Sequence, residues 1–229
     1  MIKHEDCWYI NACNKANTTY CSDACIRFGQ IRHLIQNSRI PEKLSYPAVL
    51  EPTMCDLDAF YQLQDIKNSI VEFVDAGNNL YLYSHNWGNG KTSWSLKLML
   101  KYFDSIWPTN GYQVRGLFIP VTEFLVEMKH NITLKDKDIY HLYEQIKNVG
   151  LVIWDDIGVT GATAIELESL YALINHRLTA GHSNIYTGNL DDKELAEFLG
   201  PRLASRIWNN STRIELLGED RRNDFTTDN

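Results

Sequence analysis

No stretch of this sequence is apolar for long enough to span a bilayer, and its first residues, MIKHEDCWYI, lack the basic-then-apolar layout of a secretory leader. On both absences the chain is expected to be cytoplasmic, with no membrane partner. Positive charge is also scarce. Twenty-two Lys and Arg stand against 29 Asp and Glu, a net charge of −7, so bulk attraction to phosphate is excluded. Nucleic-acid contact then needs a local patch, or an assembly that concentrates basic residues. There is no internal repeat and no low-complexity tract. What remains is an ordinary globular composition, 44% hydrophobic and 22% charged over 229 residues, enough for a proper core.

Four of the five cysteines, Cys7, Cys13, Cys21 and Cys25, fall in the first 25 residues, and Cys55 stands alone. In a reducing compartment such clustering points to metal rather than to disulfides. The spacing is C-x5-C-x7-C-x3-C rather than the paired C-x2-C form. Four thiolates still suffice for a closed tetrahedral Zn²⁺ site, with His4 and His33 as substitutes for one ligand. A unit of this size with few large apolar groups needs such a staple, so the metal is expected to be structural. Residues 1–45 therefore read as a Cys-rich, zinc-binding unit whose last part, CSDACIRFGQIRHLIQNSRI, holds a helix with Ile26, Ile31, Leu34 and Ile35 on its apolar side. Pro41, Pro47 and Pro52 mark a linker, set at 46–55.

From residue 56 the pattern changes. DLDAFYQLQDIKNSIVEFVDAG carries Phe60, Leu63, Ile66, Ile70 and Phe73 at helical spacing, with Gly77 as a stop. NLYLYS, VRGLFIPV, LVIWDD, SNIYTGN and TRIELLG read as strands. TSWSLKLMLKYFDSIW, TEFLVEMKH, IYHLYEQIKNV, AIELESLYALINHRLTAG, DKELAEFLG and RLASRIW read as helices between them. Strands alternating with helices predict an α/β fold over 56–229, a five-stranded parallel sheet with helices on both faces.

Between the first strand and its helix lies HNWGNGKTS. A glycine-bearing turn that runs into a helix N-terminus offers backbone N–H groups and the helix dipole to an anion. Nucleotide is accordingly expected to bind at His85, Asn86, Trp87, Gly88, Asn89, Gly90, Lys91, Thr92 and Ser93. Lys91 would reach the outer phosphates, and the Thr92 hydroxyl would ligate Mg²⁺. The pattern usually begins with glycine, and here that position is His85. LVIWDDIG supplies the acidic partner. Asp155 is expected to hold Mg²⁺, and Asp156 to polarise the attacking water. In YTGNL, Asn189 is placed to sense the γ-phosphate or orient that water, although such a tip is also an ordinary strand-ending turn. Arg202 and Arg206 lie four apart on one helical face. Such a pair can simply decorate a solvated helix. After a sensor strand they are expected instead to reach the nucleotide of a neighbouring subunit, with Arg206 as the finger and Arg202 in support.

HNWGNGKT, LVIWDDIG, YTGNL, LGPRLASR and GEDRR, in this order over about residues 56–222, resemble the AAA+ helicase loaders of the DnaC/DnaI type, above all the short phage-encoded forms. The Cys-bearing extension is similar to the zinc-binding, helicase-contacting domain of the DnaI-type members. The resemblance implies an ATPase that binds the hexameric DnaB-type replicative helicase and helps place it on single-stranded DNA in a bacterial host. ATP would govern self-association into a spiral or ring, and release. It also implies that Lys91 and Thr92 are the Walker A residues, Asp155 and Asp156 the Walker B pair, Asn189 sensor 1 and Arg206 the arginine finger. Arg222 falls where the family has a late arginine at the nucleotide. Only residues 217–229 follow Leu216, too few for the usual helical lid, which is expected to be absent or vestigial. Asp156 stands where many such ATPases have glutamate, so hydrolysis is expected to be slow. Lys129, Lys135 and Lys137 are a solvated surface, or a track for DNA in a stacked assembly. Competing readings are the ATPase subunit of a transposition system, a non-hydrolysing adaptor that holds or inhibits the helicase, and a small-molecule kinase.

Overall fold

The computed structural model describes residues 7, 13, 15–16, 18–22, 24–44, 52–134, 137–158 and 162–220. Arg222, His4, Lys135 and Pro47 lie outside them. Five strands form one parallel sheet: β1 (Asn79–Tyr83), β2 (Gly116–Pro120), β3 (Leu151–Asp155), β4 (Ser183–Gly188) and β5 (Thr212–Glu215), in spatial order β2-β3-β4-β1-β5. This is the sheet expected from the sequence. The central strands β3, β4 and β1 are buried at nearly every position because both faces are covered.

The period-2 alternation of a strand divides the core in two. Leu80, Leu82, Phe118, Ile153, Ile185 and Ile214 join one cluster. Its other side comes from helices α1 (Ile26–Gln36), α2 (Leu57–Asn68), α3 (Ile70–Asp75) and α4 (Lys91–Asn110). Tyr81, Leu117, Ile119, Val152, Trp154 and Tyr186 point into the second cluster. It is completed by α5 (Val121–Leu134), α6 (Lys137–Asn148), α7 (Ala164–Thr179), α8 (Asp192–Leu199) and α9 (Pro201–Asn209). Trp94 and Phe103 are buried in this packing, and Trp154 is fully enclosed. Among the described residues no helix is long and apolar enough to cross a membrane.

Two local expectations are corrected. The single helix read from residue 56 to Gly77 is broken at Ser69, which adopts φ −111°, ψ 30° and donates its hydroxyl to the Asp65 carbonyl at 2.9 Å. A serine hydroxyl competes with the helix ladder in this way, and α2 ends there. The second correction concerns α1. Ile31, Leu34 and Ile35 are buried in the same cluster as α4, while Ile26 is exposed. Arg27 pairs with Asp104 of α4 at 2.7 Å, and Arg39 with Glu127 of α5 at 2.8 Å. The Ser38 carbonyl accepts the Phe118 N–H at 2.7 Å, covering part of the outer edge of β2. Residues 26–40 are thus packed on the α/β core, not set apart with the cysteines.

One arginine is wholly enclosed. Arg177, at the end of α7, donates to the carbonyls of Ile146, Val149 and Ser183 at 2.5, 2.8 and 2.6 Å and to Asn184 Oδ1 at 2.7 Å. Burial pulls its pKa down to about 9, so the guanidinium stays charged at neutral pH. The C-terminal carbonyls of α6, the negative end of that helix dipole, receive the charge. The arginine thereby ties α6, α7 and β4 at the edge of the sheet opposite the glycine loop.

Candidate functional site

In an open parallel sheet, ligands bind beyond the carboxyl ends of the strands. Here β1, β3 and β4 all end at one edge, and each delivers polar residues there. The turn after β1 leads directly into α4. Gly88 and Gly90, with φ of 69° and 99°, take the left-handed backbone that lets this turn wrap. His85 has no positive φ, so the missing first glycine leaves no strained residue. Its Nδ1 lies 3.7 Å from Glu194 Oε2 on α8. His85, Asp191 and Glu194 bring one ligand atom each within 4.8 Å of one another, with both acids engaged in the capping box that starts α8.

The asparagines of the loop hold it in place. Asn89, 3% exposed, donates to Ser84 Oγ at 2.6 Å and to the Leu216 carbonyl at 3.0 Å. Asn86 donates to the carbonyls of Leu217 and Gly218 at 3.1 and 3.3 Å. On the other side of this tail, the Asp56 carboxylate accepts the N–H groups of Leu217 and Gly218 at 2.6 and 3.0 Å. Lys91 Nζ donates to the Asn86 carbonyl at 2.9 Å and to Asn89 Oδ1 at 3.1 Å. Thr92 and Ser93 are half-buried on the first turn of α4, and Trp87 is 70% exposed at the loop's tip.

Across the edge, Asp155 Oδ1 accepts two hydroxyl hydrogen bonds, from Thr92 at 2.8 Å and from Thr187 at 2.7 Å. Burial pushes the Asp155 carboxyl above the usual carboxylate range. The bonds from Thr187 and Thr92 and the charge of Lys91 oppose that shift, while Asp156 reinforces it. Asp156 itself has φ 56°, a left-handed backbone that Asp and Asn tolerate best among residues with a side chain. Its N–H donates to Thr187 Oγ1 at 2.9 Å, and Asn189 Nδ2 stands 3.4 Å from its Oδ1. Gly188 permits the close passage of the two chains, since a Cβ there would lie 2.8 Å from the Ile157 carbonyl.

The structure therefore brings together Lys91, Thr92, Asp155, Asp156 and Asn189 from three separate strand ends. Arg202 and Arg206 are exposed on α9, on the outward face as their spacing predicts. Lys129 and Lys137 are exposed as well. Cys7, Cys13 and Cys21 are half-buried and Cys25 is exposed; all are free thiols. Burial, and then the thiols of Cys21, Cys25 and Cys13, push the Cys7 pKa up. They do not form a group of three within 4.8 Å among the described residues. His33 is committed elsewhere, 3.1 Å from the Tyr112 carbonyl and edge-on to that ring, so it does not stand in as a ligand. Sequence reasoning missed the bonds made by Thr187 and the clamp formed by Asp56.

No family model and no curated protein sequence matches the chain. Solved structures do match. The DnaC helicase loader superposes with a TM-score of 0.64 at 15% identity, covering 77% of this chain and 99% of that one. DnaI gives 0.62 at 20% identity, covering 77% and 94%. The replication initiator DnaA bound to AMPPCP and single-stranded DNA gives 0.58 at 18% identity, covering 75% and 50%. At these identities the likeness establishes a shared fold.

Proposed function

We propose that this chain is an ATP-dependent loader of the hexameric replicative helicase onto single-stranded DNA. The observation that carries the reading is the meeting of Lys91, Thr92, Asp155, Asp156 and Asn189 at one edge of the sheet. The fold shared with the DnaC loader and with DnaI supports the choice of partner.

The site fits a magnesium nucleotide. The N–H groups at the start of α4 and the Lys91 ammonium are a cradle for phosphate. Lys91 reaches the loop's own oxygens here, and the same ammonium would turn to the outer phosphates. The Thr92 hydroxyl already faces Asp155, as a hydroxyl must if its oxygen is to ligate Mg²⁺ while its proton goes to a carboxylate. Bound Mg²⁺ would neutralise charge developing on the phosphoryl group. Asp156 would take up the proton of the attacking water, and Asn189 would orient that water. Arg206, on an exposed helix face, would act on the nucleotide of an adjacent subunit in a spiral or ring, with Arg202 beside it.

Cys7, Cys13, Cys21 and Cys25 match a structural zinc ion in donor type, and the turns between them would have to draw the thiols closer than they lie here to hold it. Zinc there would fix a small surface that docks on the helicase. Binding of a fluorescent ATP analogue, ATP turnover and capture of a replicative helicase are the measurements to compare in the wild type, Lys91→Ala and Cys21→Ser/Cys25→Ser. The reading expects Lys91→Ala to lose nucleotide but keep helicase, and the cysteine variant to do the reverse. Helicase binding without any turnover would replace the loader with a non-hydrolysing adaptor.

A further inference from the structure

We infer that Thr187 is a positioning residue for ATP hydrolysis, a single hydroxyl that orients both acids at the end of β3. The inference rests on the ATPase reading of the site. A hydroxyl has one proton to give and lone pairs to receive. Thr187 gives its proton to Asp155 Oδ1 at 2.7 Å and receives the Asp156 N–H at 2.9 Å. The Thr187 carbonyl accepts the Ile157 N–H at 2.7 Å, so three successive residues of the β3 turn are tied to one residue of β4.

Thr187 is 2% exposed and pairs in register with Leu82 of β1, the strand that feeds the glycine loop. Valine has the same shape and suits a buried strand equally well. A buried hydroxyl is tolerated there because its hydrogen bonds are made, and those bonds go to the two acids. Both donors to Asp155, Thr92 and Thr187, use Oδ1. That arrangement sets the carboxylate's rotation, and Oδ2 would be the oxygen offered toward a bound cation. At Asp156 the left-handed backbone aims the side chain, and the bond to Thr187 holds the backbone in that state. Asn189 contacts Asp156 only at 3.4 Å, so Thr187 is the fixed element of the pair and Asn189 the adjustable one.

The test compares wild type, Thr187→Val and Thr187→Ser in the full chain, with folding checked by circular dichroism. The readouts are nucleotide affinity in EDTA, kcat, KM and the Mg²⁺ concentration for half-maximal turnover. Thr187→Val is expected to bind nucleotide in EDTA as wild type does. Its kcat should fall and its Mg²⁺ requirement rise by about tenfold each, the usual effect of losing a partner that orients a metal-binding group. Thr187→Ser should restore both, because it restores the hydroxyl. Unchanged kcat and Mg²⁺ requirement in Thr187→Val, or a serine variant as impaired as the valine one, overturns the inference. A wild type with no ATP turnover at all overturns the ATPase reading, and the inference with it.

Discussion

The hydroxyl of Thr92 donates to Asp155 Oδ1 at 2.8 Å, joining the first turn of α4 to the end of β3, 63 residues later in the chain. Between the two strands that lead to these residues runs β4. The contact therefore depends on the strand order, and the half-buried Asp155 that makes it bears an energetic penalty.

That penalty has a sign. Burial raises the Asp155 pKa above its value in the unfolded chain, so the folded state holds the proton more tightly. Stability from this group is then lost as pH rises from the unfolded pKa through the folded one, and the ionised carboxylate is destabilising at neutral pH. In Mg²⁺-free buffer, Asp155→Asn should raise the melting temperature at pH 7, with the gain shrinking as pH falls through the raised pKa toward the ordinary carboxylate value, below which it is gone. Thermal unfolding between pH 4 and pH 8 checks this. A gain that grows toward acid would contradict it.

Asp156 sits at φ 56°, where Asp and Asn pay less than longer side chains. Asp156→Asn should keep both stability and nucleotide binding while abolishing turnover. Asp156→Glu, the residue usual in such ATPases, should lose about 1 kcal/mol in urea unfolding.

The Asp56 carboxylate clamps the N–H groups of Leu217 and Gly218 from a position 161 and 162 residues away. Hydrogen bonds to a charged group are worth about 1.5–3 kcal/mol each at most, so Asp56→Ala should destabilise by roughly 2 kcal/mol or more. Amide hydrogen exchange is the sharper readout. Leu217 and Gly218 should exchange faster in Asp56→Ala, and protection at β3 should be unaffected.

Arg177 satisfies several buried carbonyls with one side chain. Arg177→Met removes the donors and leaves the acceptors enclosed, for an expected loss of roughly 3 kcal/mol or more. Because this cluster is at the far edge of the sheet, the Kd for nucleotide in the protein that remains folded should stay near wild type.

Strands β2 and β3 were legible as short apolar runs closed by turn residues, and β1, β4 and β5 from their β-formers and their alternation with helical periodicity. The residues at HNWGNGKTS and LVIWDD were legible because each set is contiguous: spacing within a motif survives in one dimension. Thr187 was not, since a threonine inside a buried strand reads as a β-former and its hydroxyl partners lie 32 and 31 residues away. Asp56 carries no local signal for the same reason. The apolar stripe of α1 showed that it packs without showing on what, which is why residues 26–40 were grouped with the cysteines. Ser69 fits a helical pattern well, and only its bond to Asp65 reveals the break. At the cysteines, spacing counted the donors; their separation depends on the folding of the turns between them.

The measurement that tests the central claim most directly is the mass, in solution, of this protein mixed with a hexameric replicative helicase, with and without ATP–Mg²⁺. The account predicts a discrete complex whose stoichiometry or lifetime changes with ATP–Mg²⁺ and stops responding in Lys91→Ala. No complex with the helicase, together with firm binding to a transposase and DNA, would contradict it.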